Sequence, residues 1–204
     1  MLLKDYTKEL PREIYILGSG SSIDLYKEKY WDNKFTIGVN KSYQFDDHLD
    51  ALVLSHGTYI EDVEQNYPYL DLFVSRYDST HKKYGLNKFN ENKTYVYDHY
   101  ENTGFDIIPK IGLMDKPEVN KVITCGDTVC RAIGVFVHLG AKNIWLVGCD
   151  GVNNAENKIN RKNYYNKNAS YNSTIGHAMR SMKSKLFLKD NLLKYGIDIK
   201  FLKP

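Results

Sequence analysis

A glycine- and serine-rich segment follows the first apolar run of the chain. Residues Glu13 to Leu17 form a short β-type segment that leads directly into Gly18-Ser19-Gly20-Ser21-Ser22. Because glycine has no Cβ, such a loop brings several backbone N–H groups close to a bulky anion. The segment predicts a phosphate-binding loop, and the alternative is a turn that only reverses the chain.

Polar residues also follow later apolar segments. Asn40 follows the second such segment, Ser55 the third, and Gly148 and Asp150 a later one. In an open parallel sheet, ligand-binding groups lie beyond the carboxyl ends of the strands. A carboxylate at the position of Asp150 suits a ribose hydroxyl or an acceptor hydroxyl, and an ordinary turn aspartate is the alternative.

Two further positions lie near the starts of predicted helices. Thr124 lies in the segment Ile123-Thr124-Cys125-Gly126-Asp127-Thr128, whose hydroxyls and free N–H groups suit a phosphate or a ribose. For Thr124, helix capping is the alternative role. For Asp127, helix capping is the only role that we expect. His177 heads the last predicted helix, where the helix dipole disfavours the charged imidazole and helps to keep it a neutral base. An exposed first-turn histidine is the alternative at that position.

The apolar pattern predicts the scaffold that positions these residues. Short β-type segments recur at 13–17, 35–39, 51–54, 72–75, 94–97, 143–147 and 198–202. Several are almost continuously apolar, as in parallel strands covered on both faces. One helix from Val129 stops at Gly140, and a second, from about His177 to Tyr195, stops at Gly196. We expect an α/β fold with a single Rossmann-like, open, mostly parallel sheet.

The second helix and the segment before it carry two more predictions. Four apolar residues are expected to lie along one face of that helix: Met179, Met182, Leu186 and Leu193. The polar stretch before it leads from the end of a strand to His177, which predicts a lid over the site at residues 151–176. A surface insertion without that role is the alternative.

Length, charge and composition limit the classes of protein to which the chain can belong. At 204 residues it predicts one domain over residues 1–204. The formal net charge of +3 gives no electrostatic case for a dedicated nucleic-acid or membrane binder. No signal peptide is recognisable and no apolar run approaches the roughly 20 residues of a membrane span, so we expect a cytoplasmic protein without an integral membrane segment. Cys125, Cys130 and Cys149 are expected to be reduced core thiols.

Several catalytic motifs are absent from the sequence. It contains no Walker A sequence, no Gly-x-Ser-x-Gly elbow, no Cys-x-x-Cys and no His-x-x-x-His pair. It also lacks an Asp-x-Asp pair, the usual acidic motif for a metal-bound nucleotide sugar. We expect chemistry that runs without a metal ion or other cofactor.

Taken in order, these segments resemble the bacterial lipooligosaccharide sialyltransferases of glycosyltransferase family 42. The matching segments are Ile16 to Ser22, Val39-Asn40, Ile123 to Gly126, Leu139 to Asp150 and Ile175-Gly176-His177. The resemblance spans nearly the whole chain and implies a GT-A-like variant of the Rossmann sheet. It implies an inverting glycosyltransferase that moves a sugar from a nucleotide-sugar donor to an acceptor hydroxyl, with the nucleotide sugar as substrate rather than cofactor.

The resemblance also implies a role for each matching residue. Donor binding falls to Gly18, Ser19, Gly20, Ser21, Asn40, Thr124, Gly126, Gly148 and Asp150. His177 becomes the general base that deprotonates the acceptor hydroxyl. The lid tyrosines that would stabilise the departing phosphate are Tyr164, Tyr165 and Tyr171.

Departures from the family pattern leave the substrates open. Ser55-His56 stands where the family has an asparagine, Val122 where it has an arginine, and Val152 where it has a tyrosine. A CMP sugar such as CMP-sialic acid is the first expectation for the donor, and a UDP sugar stays open. The acceptor is a glycan or, if the chain comes from a phage, a hydroxymethylated DNA base. Two different functions stay open as well, an ATP-dependent diphosphokinase-like transferase and a noncatalytic nucleotide-binding module, and the sequence leaves the oligomeric state open.

Overall fold

The structure is a computed structural model of the chain. It describes residues 1–18, 20, 23, 26, 28–44, 48–55, 59–75, 93–99, 121–122, 127–149 and 175–202. Over this part of the chain the strands are β1 (Glu13–Leu17), β2 (Phe35–Val39), β3 (Ala51–Leu54), β4 (Asp71–Ser75), β5 (Thr94–His99), β6 (Lys121–Val122), β7 (Asn143–Val147) and β8 (Asp198–Phe201). The α-helices are α1 (Ile60–Asn66), α2 (Thr128–His138) and α3 (Ile175–Leu192).

The described strands form one open parallel sheet. Their order is β6-β5-β4-β3-β2-β1-β7-β8, and each neighbouring pair runs parallel. This confirms the predicted α/β class and the Rossmann-like sheet. From β1 the chain adds strands β2 to β6 on one side of the sheet, and it then adds β7 and β8 on the other side of β1. The boundary between β1 and β7 is therefore the topological switch point, outside which open α/β sheets bind ligands. Leu17 pairs with Gly38 of β2 and with Val147 of β7, so β1 and β7 end at the same level and β2 ends one residue further on.

Alternation along each strand divides the core into two layers. Ile14 and Ile16 belong to the layer that contains α2 and the second half of α3. Tyr15 and Leu17 belong to the opposite layer, with Trp31 and residues of α1. Burial on both faces accounts for the almost continuously apolar strands.

The ends of α2 and α3 follow from local signals. Asp127 is the N-cap of α2, and Gly140 (φ +97°) lies just beyond its end. A 3₁₀ turn, Leu193–Tyr195, prolongs α3 and stops at Gly196 in the left-handed conformation (φ +72°). Both glycine stops are as predicted. No helix within the described ranges is long and apolar enough to span a membrane.

The predicted apolar face of α3 is wrong at its two leucines, whereas Met182 is half-buried and the side chain of Met179 lies outside the described residues. Leu186 is 43% exposed and Leu193 57% exposed. Over residues 181–192, the part of α3 whose side chains the structure describes, the buried residues are instead Ser184, Lys185, Leu188, Asn191 and Leu192. The buried side of the helix carries Lys185, which is paired with Asp127 inside the protein, together with two leucines of the core, Leu188 and Leu192.

The end of the predicted lid overlaps the start of α3. Ile175 and Gly176 belong to α3, because a glycine in the first turn, where N–H groups have no intrahelical partner, does not prevent a helix from starting. The rest of the lid, residues 151–174, lies outside the described residues. Sequence analysis also missed α1 and the two-residue strand β6.

Candidate functional site

The loops after β1 and β7 are hydrogen-bonded to each other at the switch point. The Gly18 N–H donates to the Val147 carbonyl at 2.7 Å, and the Gly20 N–H donates to the Gly148 carbonyl at 2.6 Å. These two N–H groups are therefore occupied by the protein itself. They are therefore not available to a phosphate held by this loop.

The close approach of the two loops explains two of the glycines. A Cβ on Gly18 would lie 2.5 Å from the Gly148 carbonyl oxygen and 3.0 Å from the Cys149 Sγ. Gly148 has φ +62°, a conformation that glycine adopts without strain, and a Cβ there would lie 3.0 Å from the Gly18 carbonyl oxygen. Glycine is thus required at both positions by the contact between the loops, independently of any ligand.

Three side chains form a closed ring of hydrogen bonds beyond β2 and β3. The Asn40 Nδ2 donates to the Thr128 Oγ1 at 3.0 Å, the Thr128 hydroxyl donates to the Ser55 Oγ at 2.9 Å, and the Ser55 hydroxyl donates to the Asn40 Oδ1 at 2.9 Å. The Ser55 N–H also donates to the Asn40 Oδ1, at 3.1 Å. Asn40 reaches this position with φ +51°, which asparagine tolerates better than most residues.

One of the two amide hydrogens of Asn40 takes no part in the hydrogen bonds of the ring. The primary amide has two donors, and the bond to Thr128 uses one of them. Asn40 and Thr128 are half-buried, whereas Ser55 is almost fully buried. The second amide N–H of Asn40 is therefore a donor at the carboxyl edge of the sheet that suits an oxygen of a ligand.

A polar cluster of Asp127, Ser181 and Lys185 lies next to this ring and joins α2 to α3. One oxygen of the Asp127 carboxylate accepts the Cys130 N–H at 3.0 Å. The other accepts the Lys185 Nζ at 2.6 Å and the Ser181 hydroxyl. The Lys185 ammonium also donates to the Ser181 Oγ and, at 3.5 Å, to the Ser181 carbonyl.

The charges of this cluster stabilise each other. Burial by itself raises the pKa of Asp127, but the Lys185 ammonium and the hydrogen bonds from Ser181 and Cys130 outweigh it and hold that pKa below its ordinary value. Burial by itself lowers the pKa of Lys185, and the Asp127 carboxylate outweighs it and raises that pKa. Both groups are therefore charged at neutral pH.

The structure places five of the predicted site residues. Gly18, Gly20 and Gly148 meet at the switch point, and Asn40 follows the neighbouring strand β2. The backbone of His177 lies in the first turn of α3. The other predicted site residues lie outside the described residues: Ser19, Ser21, Thr124, Gly126, Asp150, Tyr164, Tyr165 and Tyr171.

Sequence analysis missed three residues of the ring and the cluster: Thr128, Ser181 and Lys185. The sequence pattern favours Thr124 over Thr128, although the place of Thr128 directly after the capping Asp127 is a usable signal. Lys185 gave no signal, because a lysine in a helix is normally a solvated residue. Asp127 caps α2 as predicted, but its ion pair with Lys185 adds a second role.

A groove lies at the amino edge of the sheet, away from the predicted site. It is lined by residues such as Arg12, Lys34 and Asp50 and carries both signs of charge, so it does not favour one kind of ion. Within the described ranges, no group of three or more His, Cys, Asp or Glu side chains is arranged to hold a metal ion.

No protein-family model matches the chain, and no curated protein matches its sequence. Solved structures match its fold. The sialyltransferase CstII from Campylobacter jejuni, in complex with the substrate analogue cytidine-5'-monophosphate, matches 97% of this chain and 82% of its own, with a TM-score of 0.56 and 13% identity. The complex of CST-II with a trisaccharide acceptor and CMP matches 93% of this chain and 80% of its own, with a TM-score of 0.52 and 14% identity.

A second glycosyltransferase has a similar fold. The MAf glycosyltransferase from Magnetospirillum magneticum AMB-1 matches 97% of this chain and 34% of its own, with a TM-score of 0.54 and 14% identity. At these identities the likeness shows a shared fold. The resemblance to glycosyltransferase family 42 seen in the sequence is thus confirmed at the level of the fold.

Proposed function

We propose that this protein is a metal-independent, inverting glycosyltransferase that transfers a sugar from a nucleotide-sugar donor to an acceptor hydroxyl. The observation that carries the proposal is the fold match to the CMP complex of CstII over 97% of this chain. The glycine loops and the Asn40 ring lie at the switch point and beside it, where such a sheet binds ligands.

The donor nucleotide is proposed to bind across the ends of β7, β1 and β2. Gly18, Gly20 and Gly148 shape the floor, since their backbones are bonded to each other. The loop serines Ser19 and Ser21 then supply N–H and hydroxyl donors to the phosphate. Asn40 donates its second amide N–H, the one that is not bonded to Thr128, to an oxygen of the nucleotide. Thr124, Gly126 and Asp150 complete the donor site, with the Asp150 carboxylate on the ribose hydroxyls.

The transfer step is proposed to use His177 as general base. The acceptor oxygen attacks the anomeric carbon as its proton passes to the neutral imidazole, and the bond from that carbon to the phosphate oxygen breaks in line. The electron pair of that bond leaves with the nucleotide, and the hydroxyls of Tyr164, Tyr165 and Tyr171 stabilise its charge. A position in the first turn of a helix favours the neutral imidazole that this role requires.

Metal independence is proposed because the sequence has no Asp-x-Asp pair. The donor nucleotide is proposed to be CMP, which the CstII structures contain, and the acceptor a glycan, as in the CstII complex with a trisaccharide. We also propose that the protein is cytoplasmic.

A thermal-shift screen against CMP, UDP, GDP and ADP sugars tests the donor. A ligand at 100 times its dissociation constant stabilises the folded state by about 2.7 kcal/mol, so one nucleotide class should raise the unfolding temperature and the free monosaccharides should not. Stabilisation by ADP or ATP with Mg²⁺ alone would instead favour a diphosphokinase-like transferase.

A turnover assay in excess EDTA then tests the chemistry. The cognate donor should release its nucleotide and glycosylate the acceptor at an unchanged rate. A complete loss of turnover that Mg²⁺ restores would overturn metal independence. Tight donor binding without turnover on any glycan would indicate a noncatalytic nucleotide-binding module.

A further inference from the structure

The Asp127–Ser181–Lys185 cluster joins the N-cap of α2 to α3. Replacing a buried ion pair with apolar side chains of similar volume is often neutral or stabilising, so such a pair is weak evidence for a role in stability. Its hydrogen bonds do constrain geometry. Ser181 and Lys185, one turn apart on α3, both donate to the same oxygen of Asp127. If α3 rotated or slid, Lys185, which is 2% exposed, would keep a buried charge without its partner.

The two ends of the cluster connect to the two halves of the proposed site. Asp127 directly precedes Thr128, whose hydroxyl belongs to the ring with Asn40 and Ser55. Ser181 follows His177 by four residues on α3, which corresponds to about 6 Å along the helix axis. The cluster therefore lies between the donor-side ring and the helical turn that contains the proposed base.

We infer that Asp127 and Lys185 are positioning residues that fix the first turns of α3 relative to the donor-side ring. Their effect on catalysis rests on the proposed function, because it acts through His177. Their effect on the position of the helix does not. A misplacement of about 1 Å at a catalytic group can cost about 10²-fold in rate, so a fixed helix matters for a base that must meet a bound acceptor.

Three variants separate positioning from stability. Lys185→Met removes the ammonium and keeps an apolar side chain of similar length. Asp127→Asn combined with Lys185→Met also removes the unpaired carboxylate, and asparagine caps a helix as well as aspartate does. Lys183→Met is the matched control, since Lys183 is an exposed lysine on the same helix.

Amide hydrogen exchange measures the position of α3 directly. In the double variant, the amides of residues 179–182 should exchange at least about tenfold faster than in the wild type, while the amides of α2 and those of the Lys183→Met control keep their protection. Exchange at 179–182 equal to that of the wild type would overturn the inference. A uniform increase across all helices would also overturn it, because it would indicate only a loss of global stability.

Kinetics of the same variants test the catalytic part. The double variant should lose about 10²-fold in kcat with an unchanged KM for the donor. An unchanged kcat despite faster exchange would overturn the positioning role in catalysis. A wild-type protein that transfers no sugar would refute the proposed function. Hydrogen exchange needs no substrate, so the exchange comparison would still decide whether the cluster fixes the position of α3.

Discussion

Substitution of Gly18 by alanine tests the contact between the two loops at the switch point. The new Cβ would lie 2.5 Å from the Gly148 carbonyl oxygen, so the loops must separate by roughly 1 Å to reach an ordinary contact distance. That separation strains the hydrogen bond from Gly18 to Val147 at 2.7 Å and the bond from Gly20 to Gly148 at 2.6 Å.

The expected cost combines two effects. Overpacking costs about 1–3 kcal/mol, and each weakened hydrogen bond costs up to about 1 kcal/mol. We therefore expect Gly18→Ala to lower the free energy of unfolding by about 2–4 kcal/mol. For a chain of this size the unfolding temperature should fall by roughly 5–15 °C.

Urea unfolding followed by far-ultraviolet circular dichroism measures this loss, and nucleotide titration measures the effect on the site. The control is Gly140→Ala, where a Cβ has no neighbour within 4 Å but the backbone has φ +97°. The control should lose stability through backbone strain and keep its affinity for nucleotide, whereas Gly18→Ala should lose both. A Gly18→Ala variant with the urea midpoint and the nucleotide affinity of the wild type would show that the close contact between the two loops is not required for stability or for nucleotide binding.

Three further predictions concern the base, the loop and the ion pair. His177→Ala should reduce turnover roughly 10²–10⁴-fold with donor binding nearly intact, and near-normal turnover would remove His177 from the mechanism. Gly20→Val should abolish donor binding while the helical circular dichroism signal persists, because a β-branched side chain obstructs the approach of the phosphate; unchanged affinity in a folded variant would make the loop a simple turn. The lowered pKa of Asp127 stabilises the fold above the ordinary carboxyl pKa, and that contribution is lost as the pH falls through the folded-state value. The stability difference between wild type and Asp127→Asn should therefore be largest near neutral pH and shrink below about pH 4; a difference independent of pH would contradict a charged Asp127.

Sequence was sufficient where structure depends on local pattern. Strands β1, β2, β3 and β7 have the predicted bounds, because strands buried on both faces are almost continuously apolar. The stops of α2 and α3 were predicted because Gly140 and Gly196 adopt the left-handed conformation at helix ends. The short helix α1 has only two buried residues, Ile60 and Val63, too few to produce a helical period.

Contacts between distant parts of the chain were the part that sequence could not supply. Asn40 bonds to Thr128, 88 positions away, and Lys185 bonds to Asp127, 58 positions away. The buried face of α3 includes Lys185, which makes that second contact, so this face could not be predicted from the apolar residues of the helix alone. The use of the Gly18 and Gly20 N–H groups by the β7 loop likewise appears only once β1 and β7 are neighbours.

Nucleotide titration of protein labelled with ¹⁵N only at glycine tests directly whether a donor nucleotide binds at the switch point. The chain has 14 glycines, so a simple spectrum reports each backbone amide separately. We expect CMP, or another single nucleotide class, to shift the resonances of Gly18, Gly20 and Gly148. The resonances of Gly140 and Gly196, which lie just beyond helix ends, should not move. Saturating nucleotide that leaves Gly18, Gly20 and Gly148 unchanged would contradict a donor site at the switch point.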